Sequence, residues 1–200
     1  MADTGAPHFI PFADPTDLVR DWPALSEDVA DAVAAGLSAA GGLVAVKFAI
    51  FTGVQADAVT ASSNVAVTDL TITHEVADPA NKLIISAFLG VAANSGGRGN
   101  VGIAVHDGTE LIAIGNADGS RTRVTAGGQV GGSGVSIIST TPSMTFVHTP
   151  NTTDSKTYTV RAVNVSGTTR TLFINRDELD DNIGNAARGV SSLVIQEVKV

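Results

Sequence analysis

Residues 158–175, YTVRAVNVSGTTRTLFIN, carry the pattern that decides the fold. Every second residue from Tyr158 to Asn164 points to the same side if the chain is extended. Alternation over this length is typical of a β-strand with one buried side. The Ser166-Gly167 step that follows favours a tight turn, so we expect a hairpin between two antiparallel strands.

The same period of two extends over residues 43–200, without a long helical pattern in between. A second hairpin is predicted at Asp107-Gly108, and the glycine-rich stretches 95–102 and 127–134 are predicted to be exposed loops. Many short strands with turns between them indicate an antiparallel β-sandwich or jelly roll. The candidate strands span residues 43–54, 57–61, 64–76, 81–93, 100–106, 110–115, 120–126, 134–140, 143–148, 155–164, 168–175 and 190–200.

Residues 1–42 differ in composition and form a separate segment in our interpretation. Residues 1–15 hold three of the seven prolines, which predicts an extended piece. Thr16 can cap a short helix that runs through Trp22, and a narrow apolar stripe predicts a second helix over about residues 24–40. Apolar side chains without a local core suggest docking onto another surface. The predicted docking residues are Phe9, Ile10, Phe12 and Trp22, and the predicted helix-packing residues are Val29, Val33 and Leu37.

Charge and composition narrow the class of function. The net charge is −8, and residues 1–40 contain seven acidic residues against one basic residue, which fits either a basic partner surface or a solvated helix face. An acidic chain is a poor nucleic-acid binder. The sequence has no cysteine, and its most apolar stretch, residues 43–51, is too short to span a membrane. No secretory leader is visible, so we expect a soluble protein made in a cytoplasm.

No stretch of the sequence combines the residues that catalysis needs. Residues 97–102 match the G-x-G-x-x-G pattern, but a predicted hairpin follows where a dinucleotide-binding loop requires a helix. The four histidines show no metal-ligand spacing, and His74 and His106 are interpreted as solvated residues at strand ends. The acidic run 176–182 offers either a Ca²⁺ site around Asp177 and Asp181 or, as we favour, a solvated loop. We therefore expect no enzyme, no cofactor and no metal.

Several pieces of the sequence, in their order, resemble phage tail-fibre and minor tail proteins. The opening PHFIPFADPTDLVRDWPALSEDVADAVAAGL (residues 7–37) resembles the start of such proteins. The body resembles their β domain through DLTITHEVADPANKLIISAFL (69–89), HDGTELIAIGNADGSRTRVTAG (106–127), SKTYTVRAVNVSGTTRTLFINR (155–176) and RGVSSLVIQEV (188–198). We expect no long shaft of the kind a full-length fibre has, which raises a short spike, collar or capsid-decoration protein as an alternative.

The resemblance implies a trimeric sandwich of jelly-roll or tumour-necrosis-factor-like type whose N-terminal segment attaches to the virion. It implies assembly in the host cytoplasm and contacts with other virion proteins. Polar loops would then face outward and could bind a host cell-surface glycan through many weak contacts. The residues we select for this role are Arg98, Asn100, Arg121 and Arg123. Alternatives left open are a capsid-decoration protein, a carbohydrate-binding module and, least favoured, a hydrolase.

Overall fold

Alternating apolar residues give strands throughout the part of the chain that the computed structural model describes, residues 42–94, 99–130, 140–178 and 188–200. Within these residues there is no helix, and the strands are antiparallel, so the predicted β-sandwich is confirmed. The predicted docking segment and helix fall on residues 1–41, outside the described residues. The described strands are β1 (Leu43–Phe51), β2 (Gln55–Val59), β3 (Asn64–His74), β4 (Lys82–Phe88), β5 (Val91–Ala93), β6 (Gly99–His106), β7 (Leu111–Ile112), β8 (Ala126–Val130), β9 (Ser143–His148), β10 (Lys156–Asn164), β11 (Arg170–Ile174) and β12 (Ser191–Val198).

One layer of the sandwich is a four-stranded sheet in the order β1-β12-β4-β9. Its inner side is apolar because every second residue of β12 and β4 points inward: Leu193 and Ile195 lie beside Ala87, Ile85 and Leu83. These side chains are at most 5% exposed. Burying this row contributes to the hydrophobic stabilisation of the domain.

The opposite layer contains the order β3-β10-β6, with β7 and β8 pairing successive parts of β6, and a smaller sheet in the order β2-β11-β5. Side chains from both sheets share one core with the first layer, among them Tyr158, Ile103 and Leu172. The chain therefore passes repeatedly between two layers and returns to close the first sheet with β12. This strand order is that of a jelly roll.

Buried Asn164 marks the level at which the second layer bends. Its side-chain amide donates to the carbonyl oxygens of Val59, Thr60 and Thr168, and its side-chain oxygen accepts from Ser166. These bonds tie the connection between β2 and β3 to the connection between β10 and β11. The predicted hairpin at Ser166-Gly167 is therefore wrong, because β10 pairs β3 and β6 while β11 pairs β2 and β5.

A second buried asparagine, Asn175, ties together the crossings between layers at one end of the sandwich. Its side-chain amide donates to the carbonyl oxygens of Phe51 and Gly53, its side-chain oxygen accepts from Ser191 Oγ, and its N–H donates to Gly90 O. Asn175 has a φ of 59°, a left-handed conformation that asparagine tolerates better than most residues. Asn175 thus holds three chain crossings, two through its side chain and one through its backbone N–H.

The other strand predictions have mixed outcomes. The hairpin at Asp107-Gly108 is confirmed: it joins β6 to β7, and Gly108 has a φ of +94°. The predicted strand 81–93 is interrupted between β4 and β5, where the chain crosses between layers. The predicted strand 120–126 is displaced, since β8 begins at Ala126 and pairs with β6. Glycine-rich residues 99–102 and 127–130 are thus paired strands, although we predicted exposed loops.

Candidate functional site

Three of the four predicted surface-binding residues, Asn100, Arg121 and Arg123, lie near the bend of the second layer. Asn100 is exposed on β6, and its carbonyl oxygen accepts from the N–H of Val165. Arg121 and Arg123 follow on the segment between β7 and β8, which approaches the bend through a hydrogen bond from Thr122 Oγ1 to Ser62 Oγ. Arg98 lies outside the described residues.

The two arginines are held by contacts within their own loop. Arg121 forms an exposed ion pair with Asp118 at 2.6 Å between Nη1 and Oδ2, with side chains 82% and 70% exposed. Arg123 donates from Nε to the carbonyl oxygen of Gly115 at 2.6 Å. An ion pair this exposed contributes little stability, so the Arg121 guanidinium remains accessible to a ligand.

A pocket of about 320 Å³ lies beside Asn100. It is lined by Asn100, Val101, Val124, Gly127, Gly128 and Val165. Glycine at position 102 leaves room for Val124, one of the lining residues, because a Cβ there would overlap the Val124 side chain. The walls are mostly apolar, with Asn100 as the polar side chain at the edge, so the pocket suits a small apolar group better than a charged one.

A group of titratable side chains meets near the Asp107-Gly108 hairpin. Asp107 Oδ2 accepts from Lys156 Nζ at 2.6 Å, and Asp107 Oδ1 accepts from the N–H groups of Thr109 and Glu110. Burial would raise the pKa of Asp107, but these hydrogen bonds outweigh it and hold the pKa well below its usual range. The carboxylate therefore stays ionised and clamps β10 to the hairpin.

The neighbouring Tyr158 and His148 rings pack edge to face, with centroids 5.9 Å apart. Burial, followed by the charge of Asp107, raises the pKa of Tyr158 to about 12. Burial, assisted by Lys156 and opposed by Asp107, lowers the pKa of His148. Both groups are therefore neutral at pH 7. Among the described residues, neither the Tyr158 hydroxyl nor His148 Nε2 has a hydrogen-bond partner.

A buried carboxylate that sequence reasoning did not single out lies on the inner side of β12. Glu197 is 1% exposed; its two oxygens accept from His74 Nε2 at 2.9 Å, the N–H of Ala77 at 2.9 Å and Asn81 Nδ2 at 2.6 Å. Burial would raise the pKa of Glu197, but the bonds from Asn81, Ala77 and His74 outweigh it, and the pKa is lowered. His74 is 3% exposed, so its interpretation as a solvated residue is wrong.

These groups give no metal centre in the described part of the chain. No three His, Asp or Glu side chains there stand close enough together to bind a metal ion. In the acidic run, Asp177 is buried at 5% exposure, which does not fit the predicted solvated loop at this position, and the Arg176 guanidinium lies 4.7 Å from the centre of the Phe173 ring. Residues 179–182, including Asp181, are outside the described residues.

The two outer faces of the sandwich differ in chemistry. We call the outward side of β3 and β10 the threonine face: Thr71 and Thr73 pair with Thr159 and Thr157, with hydroxyl oxygens 3.1 Å apart in each pair. We call the outward side of the four-stranded sheet the apolar face. Its apolar members are Val46, Phe48, Ile50, Ile84, Phe88, Val147, Val194 and Val198.

Comparisons with known proteins add little. No known family profile matches the chain, and no curated protein is significantly similar to it in sequence. Among solved structures, the chain is similar to one from "Structure of infectious bursal disease virus Gx strain", with 13% identity and a TM-score of 0.36. That match covers 78% of this chain, which spans 41% of the length of the viral chain. Likeness at this level carries no argument about function. Among the described residues, no helix is long and apolar enough to cross a membrane.

Proposed function

We propose that this chain is a non-catalytic structural protein of a phage particle: a short tail-fibre, spike or minor tail protein. In this proposal, residues 1–42 dock onto other virion proteins, and residues 43–200 form a homotrimer that serves host attachment. The observation that carries the proposal is the jelly-roll strand order, an architecture used by viral capsid and lectin domains. This is an argument from fold analogy, and the sequence resemblance supports it independently.

The use of the buried titratable groups supports a non-catalytic role. Glu197 and His74 bond to each other across the two layers, and Asp107 and Lys156 clamp a hairpin. A catalytic acid or base must instead reach a substrate from a cleft, with its pKa close to the working pH. The pKa values of Glu197 and Asp107 are lowered, which keeps both as permanent structural anions.

Labelling of the particle tests the proposed location. Gold-conjugated antibody against this chain, applied to purified particles from its host, should mark the tail in electron micrographs. Label on the head would instead favour the capsid-decoration alternative. Absence of the chain from washed particles would contradict a virion protein of either kind.

Host attachment has its own test at the bend of the second layer. The full chain, multimerised on beads, should bind host cells, and the double variant Asn100→Ala with Arg121→Ala should reduce the bound fraction several-fold. Lys199→Ala, an exposed cation on the C-terminal tail, is the matched control and should leave binding unchanged. Equal binding by the double variant would remove these residues from the proposal, and no binding by wild-type beads would remove attachment itself.

A further inference from the structure

The apolar face is unusual for a sheet that borders solvent. Antiparallel sheets with one wet side normally place polar residues outward. Here the side chain of Phe48 is 71% exposed, that of Val147 65% and that of Ile50 53%. Exposed apolar surface of this continuity marks an interaction site.

The register shows that these side chains form one surface. Val46 of β1 pairs with Gln196 of β12, which pairs with Ile84 of β4, which in turn pairs with Val147 of β9. The next row begins with Phe48 and continues through Val194, Ser86 and Thr145; the one after it begins with Ile50 and reaches Phe88 through Ser192. Because directly paired residues share a face, apolar side chains from all four strands lie on one side of the sheet, with the uncharged polar residues Gln196, Ser86, Thr145 and Ser192 between them.

The surface is nearly free of charge. Lys82 is the one charged side chain among the outward positions of these four strands, all of which are described, and its Nζ is engaged with Thr149 Oγ1. Lys47 lies at an inward position of β1 and donates to the carbonyl oxygen of Thr73 in the other layer. None of the outward positions is acidic, although the chain carries a net charge of −8.

We propose that this apolar face is buried against another copy of the same chain. In the proposed homotrimer, the apolar faces of three copies would turn toward one threefold axis, so that each face is covered by its neighbours. Four strands about 4.8 Å apart and about seven residues long at about 3.4 Å each cover roughly 450 Å². Two such faces together bury on the order of 1,000 Å², about what a specific interface requires.

Charge favours a second copy over a lipid surface. Two acidic chains repel each other, but the face they share holds no acidic side chain, so desolvating it leaves no anion unpaired. A lipid surface would require flanking cations and interfacial Trp or Tyr. The single Tyr, Tyr158, is fully buried, and the single Trp, Trp22, is in the N-terminal segment outside the described residues. The contact through the apolar face is argued without the proposed function; only the number of copies, three, rests on it.

Substitution on the face tests the inference. Light scattering of the full chain should give a multiple of the 20.3 kDa chain mass at micromolar concentration. Phe48→Glu and, at the opposite edge of the sheet, Val147→Lys should each shift the mass to the single chain, since each buries an unpaired charge. Both side chains are exposed, so circular dichroism should show an unchanged β fold. Thr71→Glu, on the exposed edge strand of the threonine face, is the matched control and should keep the wild-type mass.

Three results would overturn the inference. A wild-type chain that runs at 20.3 kDa up to about 100 µM would overturn the inference and the proposed trimer together, while particle labelling would still test the virion role. A wild-type oligomer that survives both Phe48→Glu and Val147→Lys would overturn the apolar face as the interface and leave the proposed trimer standing. Loss of the oligomer in Thr71→Glu as well would also overturn it.

Discussion

The two outer faces of this sandwich face the same solvent with opposite chemistry. On the threonine face, hydroxyl groups pair across β3 and β10 and remain exposed. On the apolar face, valine, isoleucine and phenylalanine occupy most outward positions of the other layer, beside Gln196 and one hydroxyl pair, Ser86 with Thr145. Folding of one chain needs only one apolar side per sheet, so the second apolar side needs an explanation beyond folding.

Strand β12 shows the contrast within a single element. Its inward side carries Leu193, Ile195 and the buried anion Glu197, whereas its outward side carries Val194 and Val198. A charge points into the sandwich and aliphatic groups point out of it. The inner side is fixed by packing and hydrogen bonds within the chain, and in our account the outer side is fixed by contact with another copy.

The largest expected effect comes from the inner side of β12. Leu193→Ala removes a side chain that is 0% exposed and should lower the free energy of unfolding by about 2–5 kcal/mol. Urea denaturation should be measured in the Phe48→Glu background, where the account separates the copies. In that background Val194→Ala, the next residue along, should cost less than about 1 kcal/mol. Equal losses of unfolding free energy at the two positions would contradict the claim that only the inner side of β12 is packed within the chain.

A smaller loss is expected from Glu197→Gln. The amide cannot accept all three hydrogen bonds that the carboxylate accepts, and the expected cost is about 1–3 kcal/mol at pH 7. Chemical denaturation measures the loss. Gln196→Glu, on the outward side of the same strand, is the control and should leave the stability of the separated chain nearly unchanged. A Glu197→Gln protein as stable as wild type would contradict the structural role of this anion.

Acid should lower the stability of the sandwich by protonating its buried carboxylates. The folded-state pKa of Glu197 and that of Asp107 are both lowered, so their contributions are complete above the unfolded-state values of about 4. Those contributions are lost as the pH falls through the folded-state values. The melting temperature should therefore drop below about pH 4. Glu197→Gln should show a shallower drop, and an identical drop in the variant would contradict the assignment to Glu197.

The smallest effect is expected on the threonine face. Thr71→Val removes one hydroxyl from the pair with Thr159 and should change the free energy of unfolding by no more than about 0.5 kcal/mol. Its mass in solution should equal that of wild type. A large loss of stability, measured by urea denaturation, would show that the threonine pairs contribute more to folding than this account assigns to them.

Part of this arrangement could be predicted from the sequence, because it depends on local alternation. The period of two places Tyr158, Val160 and Ala162 in the core, where they are found. Glu197 shares its parity with Leu193 and Ile195, a signal that it points inward. In the same way, residues 43–51 are apolar at both parities apart from Lys47, a signal of an apolar outer side.

The errors arose where distant parts of the chain decide the outcome. His74 is buried because its partner Glu197 lies 123 residues away, which no local pattern shows. The Ser166-Gly167 step has the composition of a hairpin turn, but Asn164 binds the carbonyl oxygens of Val59 and Thr60 and makes it a bend instead. The pocket beside Asn100 likewise depends on contacts between β6 and β8 that the glycine-rich composition concealed.

Cross-linking tests the central claim, contact between apolar faces, most directly. The chain has no cysteine, so Val194→Cys places a single thiol at the middle of the apolar face and Thr159→Cys places one on the threonine face. With a short bifunctional thiol reagent at micromolar protein, the account predicts a covalently linked pair of chains from Val194→Cys and single chains from Thr159→Cys. Single chains from both variants, or equal linking in both, would contradict it.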